Sequence, residues 1–152
     1  MLTFRSATRA DVPVILSLYA DDRVSRARDG AVSEAADAAH WAAFEAIDTD
    51  PRNALIVATD EDGTVVGTFQ LTFTPSLSRG GAERMTIEAV RVRADRRGSG
   101  IGRTMMQWAI ERAGERGCRL VQLTTDKKRA DAHRFYESLG FAATHEGMKL
   151  HL

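Results

Sequence analysis

The chain has 152 residues, balanced charge (21 Lys plus Arg against 21 Asp plus Glu) and 43% hydrophobic residues, which fits one globular domain spanning residues 1–152. Zero net charge argues against a general nucleic-acid binder, which carries a basic excess. A single cysteine, Cys118, leaves no intramolecular disulfide, and no run approaches the ~20 apolar residues of a membrane span. With no apolar leader at the N-terminus, the expectation is a soluble, unprocessed, cytoplasmic protein without a membrane partner.

In chain order, Leu2 to Ala7 reads as a short strand. Thr8 or Asp11 can cap a helix whose Val12, Ile15, Leu16 and Tyr19 share one face. Asp21 to Gly30 is a polar loop, and Ser33 opens a second helix with a stripe of Ala36, Ala39, His40, Ala43, Phe44 and Ile47. Asp50-Pro51 stops it. Asn53 to Thr59 and Thr64 to Phe73 are strand-like runs joined by the hairpin signal Asp60-Glu-Asp-Gly63. Pro75 to Gly81 is expected to be a mobile loop, and Ala82 to Arg93 a long strand. A helix from Gly100 to Glu115 presents Ile101, Met105, Trp108, Ala109 and Arg112, and Gly117 ends it. Leu120 to Thr125 is a further strand, which makes a strand–helix–strand unit with parallel strands. Asp131 to Leu139 is a fourth helix closed by Gly140, and Phe141 to Ala143 with Met148 to His151 reads as a final hairpin. The class is α/β, a mixed sheet with helices on both faces.

The most informative stretch joins the long strand to the third helix. Gly98, Gly100 and Gly102 let a ligand approach the backbone closely, at a helix N-terminus with unpaired N–H groups and a partial positive charge. Arg91, Arg93, Arg96, Arg97 and Arg103 crowd the segment against the single Asp95. A P-loop needs Gly-x-x-x-x-Gly-Lys-Ser/Thr, which is absent, and Gly98-Ser-Gly-Ile-Gly102 is one residue too short for a dinucleotide fingerprint. Arg97, Gly100 and Gly102 instead match Arg-x-x-Gly-x-Gly. Downstream, beyond a strand, lies Ala132-His-Arg-Phe-Tyr-Glu-Ser-Leu-Gly-Phe141.

This ordered pair of strings resembles the acyl-CoA pyrophosphate loop and the C-terminal Ala-x-x-Phe-Tyr-x-x-x-Gly-Phe signature of the GNAT N-acetyltransferase superfamily. The likeness is firm from Met85 to Phe141. It implies a central mixed sheet of about six or seven strands flanked by four helices, splayed at the acetyl-CoA-binding strand. It also implies acetyl-CoA as co-substrate, no metal, and direct acetyl transfer to a small-molecule or peptide amine.

The resemblance then assigns residues. The N–H groups of Gly98, Ser99, Gly100, Ile101, Gly102 and Arg103, with Arg97, would hold the pyrophosphate; the bland alternative is a tight turn that merely needs glycine. Val90, Arg91 and Val92 would offer strand backbone to the pantetheine arm, while their side chains pack as ordinary core. Glu88, two residues before Val90 on the same strand parity, would deprotonate the amine, with partial burial raising its pKa; a salt bridge to Arg84 or Arg91 is the plain reading. Tyr136 would protonate the departing thiolate, against the reading of a core tyrosine packed on Phe135 and Phe141. Arg129 stands where the family commonly has Asn, and either reaches a CoA phosphate or faces solvent. Lys127 and Lys128 read as solvated loop, Ala94 stands where proline is frequent, and Cys118 reads as a buried small residue. His40, His133, His145 and His151 lack metal-ligand spacing.

For the acceptor, Asp21 to Gly30 and Thr74 to Gly81 are the expected walls. Trp41, Phe73 and Leu77 are candidate apolar contacts, and Asp21, Asp22 and Glu83 candidate attractors of a cationic amine. A polyamine-like, amino-sugar or peptide amine all remain open. Two rivals stand beside catalysis, a non-catalytic acyl-CoA-binding or sensing module and a regulator that binds NAD or ATP. Many members of the family dimerise, so a homodimer is open as well.

Overall fold

A computed structural model describes residues 1–21 and 35–152. The expected loop from residue 22 onward, the helix start at Ser33, and Asp22 lie outside the described residues. Five strands form one sheet in the order β1 (Thr3–Ser6), β2 (Asn53–Thr59), β3 (Val65–Thr74), β4 (Arg84–Val92) and β5 (Leu120–Leu123). The first four are antiparallel neighbours, and β5 joins β4 in parallel. The α-helices among the described residues are α1 (Val12–Ala20), α2 (Ala38–Asp48), α3 (Ile101–Arg116) and α4 (Ala130–Ser138).

Side-chain alternation sends the sheet's two faces into two cores. Ile56, Ala58, Phe69, Leu71, Phe73, Met85 and Ile87 meet the α3 stripe of Ile101, Met105, Met106, Ala109 and Ala113, with Phe135 and Tyr136 of α4 and Leu139 just beyond it packed alongside. On the other face Leu55, Val57 and Val65 meet Ile15 and Leu18 of α1, with Phe44 and Ile47 of α2 partly buried against them. Gly67 shows how close α3 sits. A Cβ there would lie 2.8 Å from the Met105 sulfur and 3.2 Å from the Arg91 carbonyl oxygen, so a side chain would overpack the contact.

Local chemistry fixes the ends. Asp37 caps α2 by accepting from the His40 N–H at 3.0 Å, and His40 Nδ1 accepts from the Asp37 N–H at 3.2 Å. The Asp60 carboxylate accepts from the N–H groups of Asp62 and Thr64, both at 3.0 Å, which closes the β2–β3 hairpin. Gly117 ends α3 at φ 83°, where the Cys118 N–H reaches back to the Ala113 carbonyl at 2.9 Å. The loop expected from Pro75 to Gly81 contains a single 3-10 turn at Arg79–Gly81.

Two expectations need correction. Among the described residues the strands number five, because residues 141–152 form no final hairpin. The alternation of Met148 with Leu150 suggested a strand, yet these side chains are 93% and 86% exposed. An alternating pattern makes a strand only where a sheet face and a ladder receive it. Phe73, expected beside the acceptor, lies in the core against α3, with the Arg116 guanidinium 4.0 Å from its ring centroid.

Asp11 ties β1 to the start of α1. It receives Arg5 at 2.6 and 3.0 Å and the Thr8 N–H at 2.7 Å. The Arg5 hydrogen bonds, aided by Thr8 and opposed by burial, pull its pKa down to about 2. A depressed carboxylate stabilises the fold above its ordinary pKa, and that contribution fades as pH falls from about 4 toward 2. Asp11→Asn should therefore cost about 1–2 kcal/mol near neutral pH, allowing for solvent screening at Arg5. Urea unfolding near pH 7 and near pH 2.5 should show that gap shrink in acid; a constant gap would rule out the electrostatic origin.

Candidate active site

The site is built around β4. Its ladder with β3 continues to Val92, which pairs with Gly67, whereas its ladder with β5 ends at Ile87 opposite Leu123. From Glu88 to Val92 one edge of β4 therefore runs past the end of β5. The β3 register also slips here: Glu88 pairs with Gln70, and Arg91 pairs with Thr68. Ala89, between them, has a left-handed φ of 52°, the mark of a β-bulge that re-aims the side chains around it.

The bulge overturns the expected parity. Glu88 lies on the α1–α2 face with Gln70, while Val90 and Val92 turn toward the α3 core. Arg91 returns to the α1 side, its guanidinium 5.6 Å from the Tyr19 ring centroid, and donates to the Val90 carbonyl at 2.9 Å. Glu88 is exposed rather than partly buried, and among the described residues no ion pair holds it. Burial pushes the Tyr19 phenol up, with Arg91 pulling it down and Glu88 raising it. Tyr19, Glu88 and Arg91 thus share one neighbourhood, and Tyr19 was not among the expected site residues.

The glycine turn sits where β4 hands over to α3. Gly98 and Gly100 have φ of 80° and 86°, conformations that side chains rarely adopt. The first α3 bond runs from the Thr104 N–H to the Gly100 carbonyl at 3.1 Å, so the N–H groups of Ile101, Gly102 and Arg103 precede the helical ladder. The Ser99 hydroxyl turns inward and donates to the Arg96 carbonyl. Arg97 is exposed, donates to the Val92 carbonyl at 3.1 Å and lies 3.7 Å from Asp21. Arg93 pairs with Asp95 at 2.6 Å and Arg96 with Asp60 at 3.2 Å. The patch is thus partly neutralised, and Arg97 and Arg103 face outward at the turn itself.

The two distant motif strings meet at this turn. Arg103 donates to the Ser138 hydroxyl at 2.8 Å and lies 5.9 Å from the Phe135 ring centroid. A Cβ on Gly102 would stand 3.6 Å from Phe135. Tyr136 packs in the aromatic group with Phe135 and Phe141 at centroid distances of 5.1 and 5.9 Å. Burial raises its pKa, and the charges of Arg129 and Arg91 work against that rise. Arg129 therefore acts at Tyr136, and it forms the N-terminal boundary of α4. Tyr136 is therefore partly core, and it lies close enough to Arg91 and Arg129 to feel their charges.

Most of the remaining candidates are engaged by other side chains. Leu77 is fully exposed, and the Trp41 ring is covered by Arg9 at 4.2 Å. Glu83 is engaged by Arg116 at 2.9 Å. Asp21 faces Arg97 at the turn. Lys127 pairs with Glu146 at 3.3 Å. Burial pushes the Cys118 thiol up, as Glu83 does to a lesser degree, which keeps it from being a ready nucleophile.

Residues 15–141 match the model of the Acetyltransferase (GNAT) family. Streptothricin acetyltransferase of Streptomyces lavendulae is 30% identical over 130 residues, covering 86% of this chain and 58% of that protein. Glucosamine 6-phosphate N-acetyltransferase of Trypanosoma brucei brucei is 36% identical over 90 residues, 59% of each chain. The chain thus spans under two thirds of the length of these curated relatives. A solved structure described as a transcriptional regulator from Bacillus halodurans C-125 is 47% identical with a TM-score of 0.93, each chain covered completely.

Ala89 gives a direct test of the bulge. Ala89→Gly should keep or raise the melting temperature, because glycine accepts φ 52° freely. Ala89→Val should lower stability by about 1–2 kcal/mol, since a branched side chain resists that conformation. Equal melting temperatures for the two variants would argue against a left-handed residue at this position.

Proposed function

The chain belongs to the GNAT acetyltransferase family, and from that premise we propose that it transfers an acetyl group directly from acetyl-CoA to a primary amine. The observation that carries this reading is a glycine turn with left-handed residues at Gly98 and Gly100 at the start of α3, directly after a β4 edge that runs past the end of β5. The residues suit the donor. Six backbone N–H groups from Gly98 to Arg103, the α3 dipole and Arg97 match a pyrophosphate. In this reading an extended amide-bearing arm lies along the β4 edge at Val90, Arg91 and Val92 that runs past β5, taking over the Val90 and Val92 carbonyls from the Arg91 and Arg97 guanidiniums. A thioester bound there supplies the activated carbonyl.

Each protein group then has one task. Glu88, on the solvent side of the bulge, accepts a proton from the ammonium substrate, directly or through water. The freed nitrogen forms a bond to the acetyl carbon, and in this reading the Val90 N–H stabilises charge on the carbonyl oxygen. As the carbon–sulfur bond breaks, the Tyr136 O–H donates its proton to sulfur, and the second proton shed by the new amide nitrogen returns the phenolate to phenol. Burial keeps this phenol protonated across neutral pH, and Arg129 and Arg91 moderate the rise so that it still gives up its proton. Holding both reactants in one cleft removes much of the entropic barrier.

A second reading, an acyl-CoA-sensing module without catalysis, has one finding in its favour: the 47% identical structure is described as a transcriptional regulator. Acetyl-CoA binding without acetylation of any amine, peptide or aminoglycoside would select it.

Glu88→Gln should lower kcat/KM about 100-fold near pH 7. The loss should shrink toward pH 10, where a typical amine of pKa ~10.4 begins to deprotonate unaided. Tyr136→Phe should lower kcat by roughly 10–100-fold at all pH values up to the phenol's own titration. Steady-state assays across pH decide both, and unchanged turnover in either variant removes that residue's role. Gly100→Ala, which forces a side chain into φ 86°, should weaken acetyl-CoA binding about tenfold or more by calorimetry.

A further inference from the structure

Four neutral polar residues stand in one register row across the sheet. Asn53 pairs with Thr72, Thr72 with Thr86, and Thr86 with Gln122, so the row crosses β2, β3, β4 and β5. At sheet spacing it runs roughly 14 Å. It lies on the same face as Glu88, which is two residues and roughly 6.6 Å along β4 from Thr86. Gln70, the partner of Glu88, bridges the two rows by donating to Asn53 Oδ1 at 3.4 Å.

The row is internally oriented. The Thr72 hydroxyl donates to Asn53 Oδ1 at 3.2 Å, and Gln122 Nε2 donates to the Thr86 hydroxyl at 3.1 Å. These bonds leave an outward set of mixed character: the Thr86 O–H as donor, the Gln122 amide oxygen and the Thr72 lone pairs as acceptors, and the second Gln122 N–H as donor. The described helices leave much of it open. α1 packs across β3 and β4 and α2 against β2, while Gln122 and Glu88 are exposed and Thr72, Thr86 and Gln70 half-buried.

We propose that this row is the recognition floor for the acceptor, and that the acceptor is a polyhydroxylated amine, an amino sugar. The inference rests on Glu88 as the base, since that carboxylate fixes where the amine sits. Sugar hydroxyls are donors and acceptors at once, as the row is. An apolar amine would strip water from these groups and return no hydrogen bonds, a net loss for each. The row itself carries no cation to hold a phosphate and no apolar side chain to hold a hydrocarbon. Gln122, Thr86 and Thr72 are specificity residues that touch the scaffold of the acceptor rather than its reacting nitrogen.

The test compares glucosamine, cyclohexylamine and a lysine dipeptide as acceptors for the full chain and for Thr86→Val and Gln122→Leu. Sugar binding is followed separately by ligand-detected NMR with CoA bound. The native chain should favour glucosamine over cyclohexylamine at least tenfold in kcat/KM. Each substitution should reduce that preference about fivefold, through KM rather than kcat, as expected for loss of one neutral hydrogen bond. The glucosamine ring signals should weaken in parallel, with melting temperature reporting that the variants fold. Equal or better use of cyclohexylamine or the dipeptide overturns the proposal, as does an unchanged preference in both variants. If no amine is acetylated, the base reading fails and the NMR alone decides: glucosamine ring signals that weaken in the variants support the floor, and absence of glucosamine binding refutes it.

Discussion

The architecture of the candidate site depends on one backbone constraint: β4 is held along its whole length by β3 but only at its start by β5. The slip at Ala89 then rotates the strand, so residues three apart, Ile87 and Val90, face the α3 core while Glu88 and Arg91 face α1. A left-handed alanine costs about 1–2 kcal/mol, and the surrounding structure holds it in place. Met85 and Ile87 are fully buried just before it, and Arg97 ties the Val92 carbonyl just after it. One irregular residue thus shapes both parts of the candidate site, the outward carboxylate of Glu88 and the β4 edge beyond β5.

Sequence reading and structure agree where the physics is local. The turn and α3 were legible because glycines, arginines and a 3.6-residue stripe lie within one continuous stretch, and the observed helix begins within a residue of expectation. The hairpin at Asp60 to Gly63 was legible for the same reason. Ala89 was not, because alanine carries no signal for a positive φ, and without the slip Glu88 and Val90 take the same parity. Phe73 was misplaced because alternation along β3 separates two faces without saying which helix covers each. The C-terminal alternation at Met148 and Leu150 met no ladder, so the expected hairpin did not form.

The same logic explains why the donor side announces itself and the acceptor side does not. The turn, α3 and α4 bring together two short strings, and they touch through Arg103, Ser138 and Phe135. The opposite face draws Asn53, Thr72, Thr86 and Gln122 from four strands. The alternation Thr68, Gln70, Thr72 and Thr86, Glu88 is visible in the chain, but only the register turns it into a row. Family membership follows from the first kind of pattern. In the proposed reading, choice of acceptor is written in the second.

The Asp60 carboxylate has a consequence beyond its hairpin. It also holds the Arg96 guanidinium at 3.2 Å, next to the residue that opens the glycine turn. The β2–β3 corner and the turn are therefore fastened to each other, although they are 36 residues apart. Fastening of this kind settles the shape of the turn when the chain folds. A ligand that arrives later meets N–H groups already aimed, and less of its binding energy is consumed in ordering them.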